Sequence, residues 1–556
     1  IDFTFDYGLD YCGIRTFRER GYMFTGIERP CYRIMLVACY WTKGDIELVK
    51  EFYERLRFHR IVPSSSMIFY ACLNEPQTAN CFLLECNGID DLNKIDLVKK
   101  ISGKSGGMGV TLSNVPSSEF LKVAMMLNEI GAKKIVEGNN KRAGSISVSV
   151  DVYSINVLAL LGLRLNIGDE STHAPNLYTC VNLCDLFFER FDSGKMWTLF
   201  NPSDDGVSKL SQLYGDEFKK HYLSLESKYP DAKKIDPGQI LHNIHYSSSQ
   251  SGFPYVISKY QMFRTSNLKH CGQIITNLCT EICEPAGKDM SSVCNLLSLD
   301  LASFLIDGEF DWEEFRKCVE LSVIALNNAI DLMYYIDETT KRPNLQNRPI
   351  AIGYQNLSVI QAFSIYAYVY HIVLLKRMGR KFPTYEGCDL SKGILHFQHF
   401  KKSDGSFIQD EDTVFPDEFK QLREDILKHE ISINAYADRA LSNEFFVYNK
   451  YLYDVLKKEG FYEDGIFRTI ALSRRVLMDK GCFQNYVGSR SFIIQHLGMH
   501  RDRIIFIDHS ASLNLYLSKS MHDIVIDEYY RLNNDITRKL WKLGVKTIKY
   551  YGQLEI

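Results

Sequence analysis

The sequence predicts a large α/β protein, and three observations support this fold class. Of its 556 residues, 46% are hydrophobic and 24% are charged, which is the composition of a chain that buries a sizeable core. The first 60 residues have a helical pattern, and from residue 66 onward short apolar runs alternate with helix-like stretches. Such alternation indicates a barrel or a wound sheet, and the pattern alone does not choose between these two architectures.

The individual elements follow in chain order. The segment GDIELVKEFYERLRF repeats apolar residues with the helical period, which supports a mainly helical region at 1–60. The runs that we predict to be strands are MIFYACL, CFLLEC, GMGVTLSNV, SISVSVDV and IIFIDHSASLNLYL. The stretches that we predict to be helices include SSVCNLLSLDLASFLI and FRKCVELSVIALNNAIDLMYYI. We therefore expect a helical region at 1–60 and one α/β domain at 61–556.

Charge and cysteine usage narrow the classes of function. The formal net charge is −3, so the chain has no basic excess to neutralise phosphates, and nucleic acid is not an expected partner. The 15 cysteines are scattered without a CxxC pair, and no secretory signal opens the sequence, which favours free thiols and a cytoplasmic location. The apolar run at 358–375 contains Gln361 and His371, so we predict a buried helix there and no membrane span.

The glycine-rich segment ISGKSGGMGV at 101–110 contains a Gly-Lys-Ser triplet but lacks the rest of a nucleoside-triphosphate loop. That motif requires a glycine five positions before its Gly-Lys, and Val98 stands there. Gly106, Gly107 and Gly109 still let the backbone approach another group closely. A tight helix-to-strand turn and a bound ligand would each account for them.

Two histidine pairs have the spacing of metal ligands. His242 and His245 form one HxxH pair, and His396 and His399 form the other. Neither pair is joined by the acid and cysteine residues that would complete a tetrahedral site, and 14 histidines make chance pairs frequent. No G-x-S-x-G elbow is found either. We therefore expect no metal site and no serine hydrolase.

The segment IITNLCTEICEP at 274–285 combines strand-like residues with three polar ones. If it is a strand, Asn277, Cys279 and Glu281 point to the same face. A buried cysteine is ordinarily a small hydrophobic residue. An amide and a carboxylate beside it would each cost ~1–3 kcal/mol if buried without partners, whereas in a pocket they can act on a ligand. The pattern leaves a structural and a functional interpretation open.

The same residues resemble a known family. NLCTEI (277–282) and VCNLLSL (293–299) look like the active-site region of the large, catalytic subunit of class I ribonucleotide reductase. Further matching motifs follow in family order: NCFLLEC (80–86), KSGGMGV (104–110), GNNKRAG (138–144), RPIAIGYQNL (348–357), TYEGCDLSKGIL (384–395), NEFFVYN (443–449), FIDHSASLNLYL (506–517) and LWKLGVKTIKYYGQL (540–554). The resemblance implies that 61–556 is a catalytic ten-stranded α/β barrel, built from two five-stranded halves around a central finger loop.

The resemblance also implies roles for five residues. Cys279 would be the thiyl radical that takes the 3′-hydrogen from a ribonucleotide. Glu281 would accept the proton of the 3′-hydroxyl, and Asn277 would hydrogen-bond the ribose hydroxyls. Cys81 and Cys294 would supply two electrons as the 2′-hydroxyl leaves as water, and they would end as a disulfide that needs thiol–disulfide exchange.

Two adjacent tyrosines, Tyr550 and Tyr551, match the family's radical-transfer pair. Stacked phenols can pass an electron while each proton moves locally, so they would carry the oxidising equivalent to Cys279. This feature implies class I, in which a metal-containing small subunit makes the radical and no cofactor is bound in the large chain. The expected partners are that small subunit, a second copy of the chain, a ribonucleoside diphosphate and a thiol reductant such as thioredoxin.

The substrate-phosphate region departs from the family pattern. Between 422–430 and 436–446 the family has a longer segment, with a turn whose backbone N–H groups hold the phosphates, and only ISINA bridges the gap here. Ser65 and the Gly106–Gly109 turn would then carry more of the diphosphate. Asn80 replaces the serine that precedes the first redox cysteine. The residues expected to contact substrate are Ser65, Asn80, Gly106, Gly107 and Leu278.

The effector region is also shortened. After TLSNVPSSEF (111–120), the family's first specificity loop is largely missing. The second loop remains at 138–144, with Arg142 where the effector base would be contacted. The residues expected to bind an effector nucleoside triphosphate, with weakened affinity, are Asn140, Lys141 and Arg142.

Two further family parts are not expected in this sequence, namely the N-terminal ATP-cone domain and the C-terminal tail with shuttle cysteines. The leading hypothesis is a compact reductase large subunit. The alternative is a catalytically inactive homologue that is kept as a binding or structural protein, for example in a virus or a larger assembly.

Overall fold

A computed structural model describes most of the N-terminal two thirds of the chain and short pieces of the remainder. The described residues are 1–9, 11–19, 21–23, 28–132, 144–306, 309–355, 382–392, 394, 434–437, 512–513, 534, 537–538, 541–542 and 547–550. The predicted helix at 358–375 and the pair His396/His399 lie outside them.

The described elements alternate between helices and strands after a helical beginning. The helices are α1 (Thr4–Gly8), α2 (Tyr11–Glu19), α3 (Pro30–Trp41), α4 (Ile46–Arg57), α5 (Ser65–Tyr70), α6 (Leu92–Gly103), α7 (Phe120–Ala132), α8 (Asn156–Gly162), α9 (Asp185–Ser193), α10 (Gly215–Lys228), α11 (Pro237–Ser251), α12 (Lys259–Thr265), α13 (Trp312–Leu332) and α14 (Glu338–Asn347). The strands are β1 (Ile61–Pro63), β2 (Cys81–Glu85), β3 (Gly107–Thr111), β4 (Ser145–Asp151), β5 (Leu177–Leu183), β6 (Trp197–Leu199), β7 (Lys233–Ile235), β8 (Tyr255–Ser258), β9 (Ile274–Thr276), β10 (Cys283–Pro285), β11 (Ser292–Asp300), β12 (Leu305–Ile306), β13 (Glu309–Phe310), β14 (Pro349–Gln355), β15 (Asn434–Ala437), β16 (Ser512–Leu513) and β17 (Thr547–Tyr550).

One large mixed sheet organises the molecule. Its strands follow the order β15-β14-β11-β2-β3-β4-β5-β8-β17-β16, and β1 adds to β11. Strands β2, β3, β4, β5 and β8 are parallel to one another. The junctions β2/β11 and β8/β17 are antiparallel, and beyond them the parallel pairs β11/β14, β14/β15 and β16/β17 continue the sheet. A central parallel run is therefore flanked at each antiparallel junction by a run of strands in the opposite direction, and the sheet curls as half of a barrel.

Helices pack against this sheet in two hydrophobic cores. The first hydrophobic core joins α3, α4 and α13 to β11 and β14, and the second joins α6 to α11 to β2, β3, β4 and β5. The predicted α/β class and barrel architecture are confirmed. Closure into a ring of ten strands, and the division of the chain at residue 60, remain predictions.

Local sequence signals account for the long helices. The side chain of Asp311 accepts a hydrogen bond from the backbone N–H of Glu314 at 2.9 Å, which caps the first turn of α13. Asp337 and Thr340 form a capping box at the start of α14. Asp45 caps α4, whose last turn carries two arginines that complement the helix dipole.

Two predicted elements were wrong. MIFYACL lies mostly in helix α5, because the side chain of Ser64 accepts from the N–H of Met67 and starts a helix there. SSVCNLLSLDLASFLI, which we predicted to be a helix, begins with the strand β11, and all but one residue of this strand are buried. An apolar run without periodicity fits a buried strand and a buried helix equally well, and only its neighbours decide between them.

Candidate active site

Cys81 and Cys294 lie directly opposite each other on neighbouring strands. Cys81 opens β2, Cys294 lies in β11, and the antiparallel ladder pairs the two residues in register. Opposed residues of such a ladder have Cα atoms ~4.5–5.5 Å apart, within the ~4.4–6.8 Å that a disulfide spans. Both cysteines are buried, and neither is in a disulfide. The pair predicted to be redox-active is therefore within disulfide reach.

The segment 274–285 is a hairpin, which corrects the prediction of a single strand. Strands β9 and β10 pair antiparallel, and residues 277–282 form the loop between them. Asn277, Cys279 and Glu281 therefore lie in one loop, and they do not alternate along one strand face. The hairpin lies against β2 and β3. The polar residues prefer a loop because a turn satisfies their backbone groups locally.

The residue Asn277 closes this loop with its backbone and its side chain. Its backbone N–H donates to the carbonyl of Ile282 at 3.2 Å, and its Oδ1 accepts from the N–H of Ile282 at 3.1 Å. The N–H of Thr280 donates to the carbonyl of Asn277 at 3.2 Å, and Thr280 has a φ of +62°. Asn277 is fully buried, and its Nδ2 makes no hydrogen bond to the described residues. The Oδ1 end of this amide stabilises the loop, and the Nδ2 end is available to donate a hydrogen bond to a ligand.

The loop ends against the cysteine pair. Cys279 is 8% exposed, Glu281 is half-buried, and Ile282 packs with Cys81, Cys294 and Ala351 in one apolar cluster. Only two residues lie between Cys279 and Ile282, so Cys279 belongs to the same short loop that contacts the cysteine pair. This contact by Ile282 was not expected from the sequence, in which an isoleucine between polar residues gives no such signal.

The proposed substrate residues surround the start of β2 and β3. Leu278 rests on Gly107, where an added Cβ would lie 2.9 Å from Leu278 Cδ2. The backbone carbonyl of Asn80 accepts a hydrogen bond from the N–H of Gly107 at 2.7 Å, and the side-chain Oδ1 of Asn80 accepts one from the hydroxyl of Ser66. Ser65 is the half-buried first residue of α5.

The turn before β3 explains part of the glycine cluster. Gly106 donates its N–H to the carbonyl of Ile101 at 3.0 Å, and Ser105 has a φ of +64°. A Cβ on Gly106 would lie 2.4 Å from Ile101 Cγ2. The helix-to-strand turn is therefore tight at Gly106, whereas Gly107 and Gly109 face the hairpin loop.

Several predicted residues lie outside the described part of the chain. These are Asn140, Lys141, Arg142, Tyr551 and the segment 428–433 before β15. Tyr550 is the last residue of β17, where the backbone pairs it with Leu513. The roles of these residues remain predictions.

A side-chain anchor holds the segment that leads to β17. Trp541 Nε1 donates to Asp185 Oδ1 at 2.6 Å, and the indole stacks on Phe188 with ring centres 4.6 Å apart and planes 14° apart. Asp185 and Phe188 belong to α9, which directly follows β5. Strand β17 then pairs with β8, the neighbour of β5. The anchor and the strand pairing attach the C-terminal segment to the same part of the sheet.

The remaining histidine pair lies on α11. His242 is exposed, whereas His245 is fully buried, and burial followed by the neighbouring His242 lowers the pKa of His245 to about 3. Among the described residues, no group of three or more histidine, cysteine, aspartate and glutamate side chains could hold a metal ion. No described helix is long and apolar enough to cross a membrane.

Comparison with known proteins identifies the family. The family described as "Ribonucleotide reductase, barrel domain" matches residues 79–369, more than half of the chain. The "Ribonucleoside-diphosphate reductase large chain" of Encephalitozoon cuniculi is 28% identical over 631 aligned positions, which cover 99% of this chain and 78% of that protein. The corresponding large chain of Cryptosporidium parvum is 27% identical, covering 99% of this chain and 76% of that protein. The corresponding large subunit of Arabidopsis thaliana is 27% identical, covering 98% of this chain and 76% of that protein.

The alignment with the Encephalitozoon cuniculi chain has 631 positions, more than the 556 residues of this chain. That relative therefore contains segments without a counterpart here. The resemblance stated from the motifs is confirmed by a match that extends over nearly the whole sequence. This chain belongs to the ribonucleotide reductase barrel-domain family.

Proposed function

We propose that this chain is the large, catalytic subunit of a ribonucleoside-diphosphate reductase, which converts ribonucleotides to 2′-deoxyribonucleotides. The observation that carries the proposal is the register pairing of Cys81 with Cys294, with the Cys279 loop packed on this pair through Ile282. A radical reductase needs one sulfur to activate the sugar and two others to reduce it. The names of the relatives, which are ribonucleoside-diphosphate reductase large chains, support the same activity.

The proposed reaction uses the three sulfurs in order. The Cys279 thiyl radical takes the hydrogen atom from C3′, so an S–H bond forms as a C–H bond breaks. The 2′-hydroxyl leaves as water with one proton from the Cys81/Cys294 pair. The second hydrogen of the pair, with two electrons, goes to C2′, where a C–H bond replaces the broken C–O bond, and the pair becomes a disulfide. Cys279 then returns its hydrogen atom to C3′ and is a radical again. The net change is one ribonucleotide and two thiols to one deoxyribonucleotide, one disulfide and one water.

Glu281 and Asn277 would act on the sugar hydroxyls. A half-buried carboxylate beside Cys279 can accept the 3′-hydroxyl proton when the two groups are within hydrogen-bond range. The Nδ2 group of Asn277 is buried without a hydrogen bond to the described residues, and such a donor gains from a ligand oxygen. Both groups lie in the same loop as the radical sulfur, which supports a common substrate edge.

The diphosphate and the base would be held at the start of β2 and β3. Ser65 at the start of α5, Asn80, and the backbone at Gly106 and Gly107 are the proposed contacts, with Leu278 against the base and ribose. The glycines let a ligand or a loop approach the backbone closely.

The partners follow from the same proposal. The name "large chain" of the relatives implies a separate small subunit. We propose that this subunit supplies the oxidising equivalent through Tyr550 and Tyr551, that the chain forms a homodimer, and that a thioredoxin-like dithiol reduces the disulfide. The loop at 138–144, with Asn140, Lys141 and Arg142, would bind a nucleoside-triphosphate effector.

The test is turnover by the purified chain with its cognate small subunit, a ribonucleoside diphosphate and a dithiol. The wild-type protein should form the deoxyribonucleoside diphosphate, and Cys279→Ser should abolish its formation. Cys72→Ser is the matched control, because Cys72 is an exposed thiol outside the site and its loss should leave turnover unchanged. Nucleotide binding without turnover in the wild type would favour the catalytically inactive homologue.

A further inference from the structure

The loop that carries Cys279 rests on two glycines of β3. Gly107 and Gly109 are two residues apart and so face the same side of the strand, whereas Met108 between them packs into the core on the other side. A Cβ placed on Gly109 would lie 2.0 Å from the carbonyl oxygen of Thr276 and 2.9 Å from the Cα of Asn277. The loop backbone therefore occupies the space that a side chain at position 109 would need. We call Gly107 and Gly109 the glycine seat.

The two glycines of the seat contact different kinds of atoms. At Gly107 the nearest atom to an added Cβ is the end of the Leu278 side chain, at 2.9 Å. A flexible side chain can move by a few tenths of an ångström. At Gly109 the nearest atoms are backbone atoms of the hairpin, which move only with the hairpin. Real Cβ contacts below 3.0 Å essentially do not occur, so an alanine at 109 must displace the hairpin by about 1 Å or more.

The hairpin cannot absorb this displacement within its loop. Strands β9 and β10 pair in register from Thr276/Cys283 outward. Asn277 and Ile282 close the loop with two further hydrogen bonds: Asn277 Oδ1 accepts from the N–H of Ile282 at 3.1 Å, and the backbone N–H of Asn277 donates to the carbonyl of Ile282 at 3.2 Å. Breaking each such bond in a buried site costs free energy, so the loop should move as one body and carry Cys279 with it.

The seat also lies in the same row of the sheet as the redox pair. In register, Gly107 lies beside Cys81 on β2, and Cys81 lies opposite Cys294 on β11. The cysteine pair is fixed by this ladder and does not depend on the hairpin. The distance from Cys279 to the pair is therefore set by how deeply the hairpin sits on β3.

We propose that Gly109 is a positioning residue: the absence of a side chain there sets the depth of the hairpin loop and so aligns Cys279 with the sugar and with Cys81 and Cys294. This inference rests on the proposed reductase function and adds a residue to it. A displacement of about 1 Å between reacting groups costs on the order of 100-fold in rate.

The direct test compares Gly109→Ala with Gly162→Ala in the full chain. Gly162 is the matched control, because a Cβ there meets nothing within 4 Å. Gly109→Ala should lower kcat about 100-fold while KM changes by less than about threefold, and oxidation should still join Cys81 to Cys294. Gly162→Ala should keep the wild-type kcat. A Gly109→Ala protein with unchanged kcat would overturn the proposal.

A second readout does not depend on activity. Iodoacetamide labelling, followed by peptide mass spectrometry, reports the accessibility of Cys279, with the fully buried Cys318 as internal reference. Gly109→Ala should label Cys279 several-fold faster than either the wild type or Gly162→Ala. Equal labelling rates would count against the seat. If the wild type itself lacks turnover, the proposed function fails, and the labelling comparison still decides whether Gly109 positions the loop.

A double-mutant cycle covers the case in which Gly109→Ala does not fold. Gly107→Ala should slow turnover because its added Cβ contacts Leu278. In a chain that already carries Leu278→Ala, the same substitution should slow turnover less, because the clashing Cδ2 is absent. Coupling between the two positions supports the seat. Independent effects of Gly107→Ala and Leu278→Ala would overturn it.

Discussion

Cys81 lies directly opposite Cys294 in an antiparallel ladder, although the two residues are far apart in the sequence. This pairing predicts that a mild oxidant such as diamide joins them without unfolding the chain. Cys86, on the loop after β2, is the comparison thiol, because burial raises its pKa to about 11 and leaves little thiolate to react. Peptide mass spectrometry without reduction should find the 81–294 disulfide first. A disulfide that involves Cys86 before this pair would contradict the arrangement.

Glu281→Gln should remove activity and preserve the fold. The amide keeps the shape of the side chain but cannot accept a proton, so turnover should fall by roughly 10²–10⁴-fold. Thermal unfolding followed by circular dichroism should show a midpoint close to that of the wild type. Loss of the folded state would show that Glu281 is a structural acid.

Two substitutions separate the roles of the two ends of Asn277. Asn277→Asp keeps an oxygen to accept from Ile282 but loses the Nδ2 donor, so substrate affinity should fall about tenfold while the hydrogen bond that closes the loop is kept. Asn277→Ala also removes the bond that closes the loop and should cost about 1 kcal/mol or more of unfolding free energy. Equilibrium nucleotide binding and urea unfolding measure the two effects. Unchanged affinity in Asn277→Asp, or unchanged stability in Asn277→Ala, would contradict this division.

The Trp541 anchor should matter for the stability of the C-terminal attachment. Trp541→Phe keeps a ring on Phe188 but leaves Asp185 without the indole N–H, and burial already raises the pKa of this carboxyl. We expect a loss of about 1–3 kcal/mol in unfolding free energy and lower turnover with substrate binding retained. Lys542→Ala is the control: this exposed neighbour makes only a long ion pair with Asp192, at 3.5 Å, and its loss should change either quantity little, by about 0–1 kcal/mol in unfolding free energy. A Trp541→Phe protein as stable as the control would show that the bond to Asp185 contributes nothing.

His245 predicts an acid-dependent loss of stability. Its folded pKa, about 3, lies below the ordinary 6.5, so the unfolded chain binds a proton that the folded chain excludes. The contribution of this group is fully present above pH 6.5 and is lost as the pH falls from 6.5 toward 3. His245→Gln should flatten the decline of unfolding free energy across that window, and the exposed His242→Gln should not. Parallel pH curves for the wild type and His245→Gln would contradict the prediction.

Much of the fold could be predicted from periodicity. Helices α4 and α13 and strand β4 lie where the sequence placed them, because their patterns are long or strictly alternating. The helix α5 and the strand β11 could not be predicted, since a short apolar run carries no period of its own. The cap at Ser64 makes the first of these runs a helix, and burial of β11 by its neighbours makes the second a strand.

The candidate site was predicted from motifs but its geometry was not. Cys81, Cys279 and Cys294 were identified as a set, yet nothing in their spacing states that two of them share a ladder position. The hairpin was missed because alternating polar residues fit a strand and a loop equally well. The signal for Gly109 was present, since two glycines at alternate positions of a strand indicate close backbone approach, but the approaching group is known only from the fold.

The most direct test of the account is a single turnover without external reductant. The prereduced chain, with its small subunit and excess ribonucleoside diphosphate, should form one deoxyribonucleotide for each 81–294 disulfide and then stop. Rapid quenching, nucleotide chromatography and non-reduced peptide mass spectrometry measure both products together. Deoxyribonucleotide formed while Cys81 and Cys294 remain thiols, or paired with other cysteines, would contradict the central claim that this cysteine pair reduces a sugar activated by Cys279.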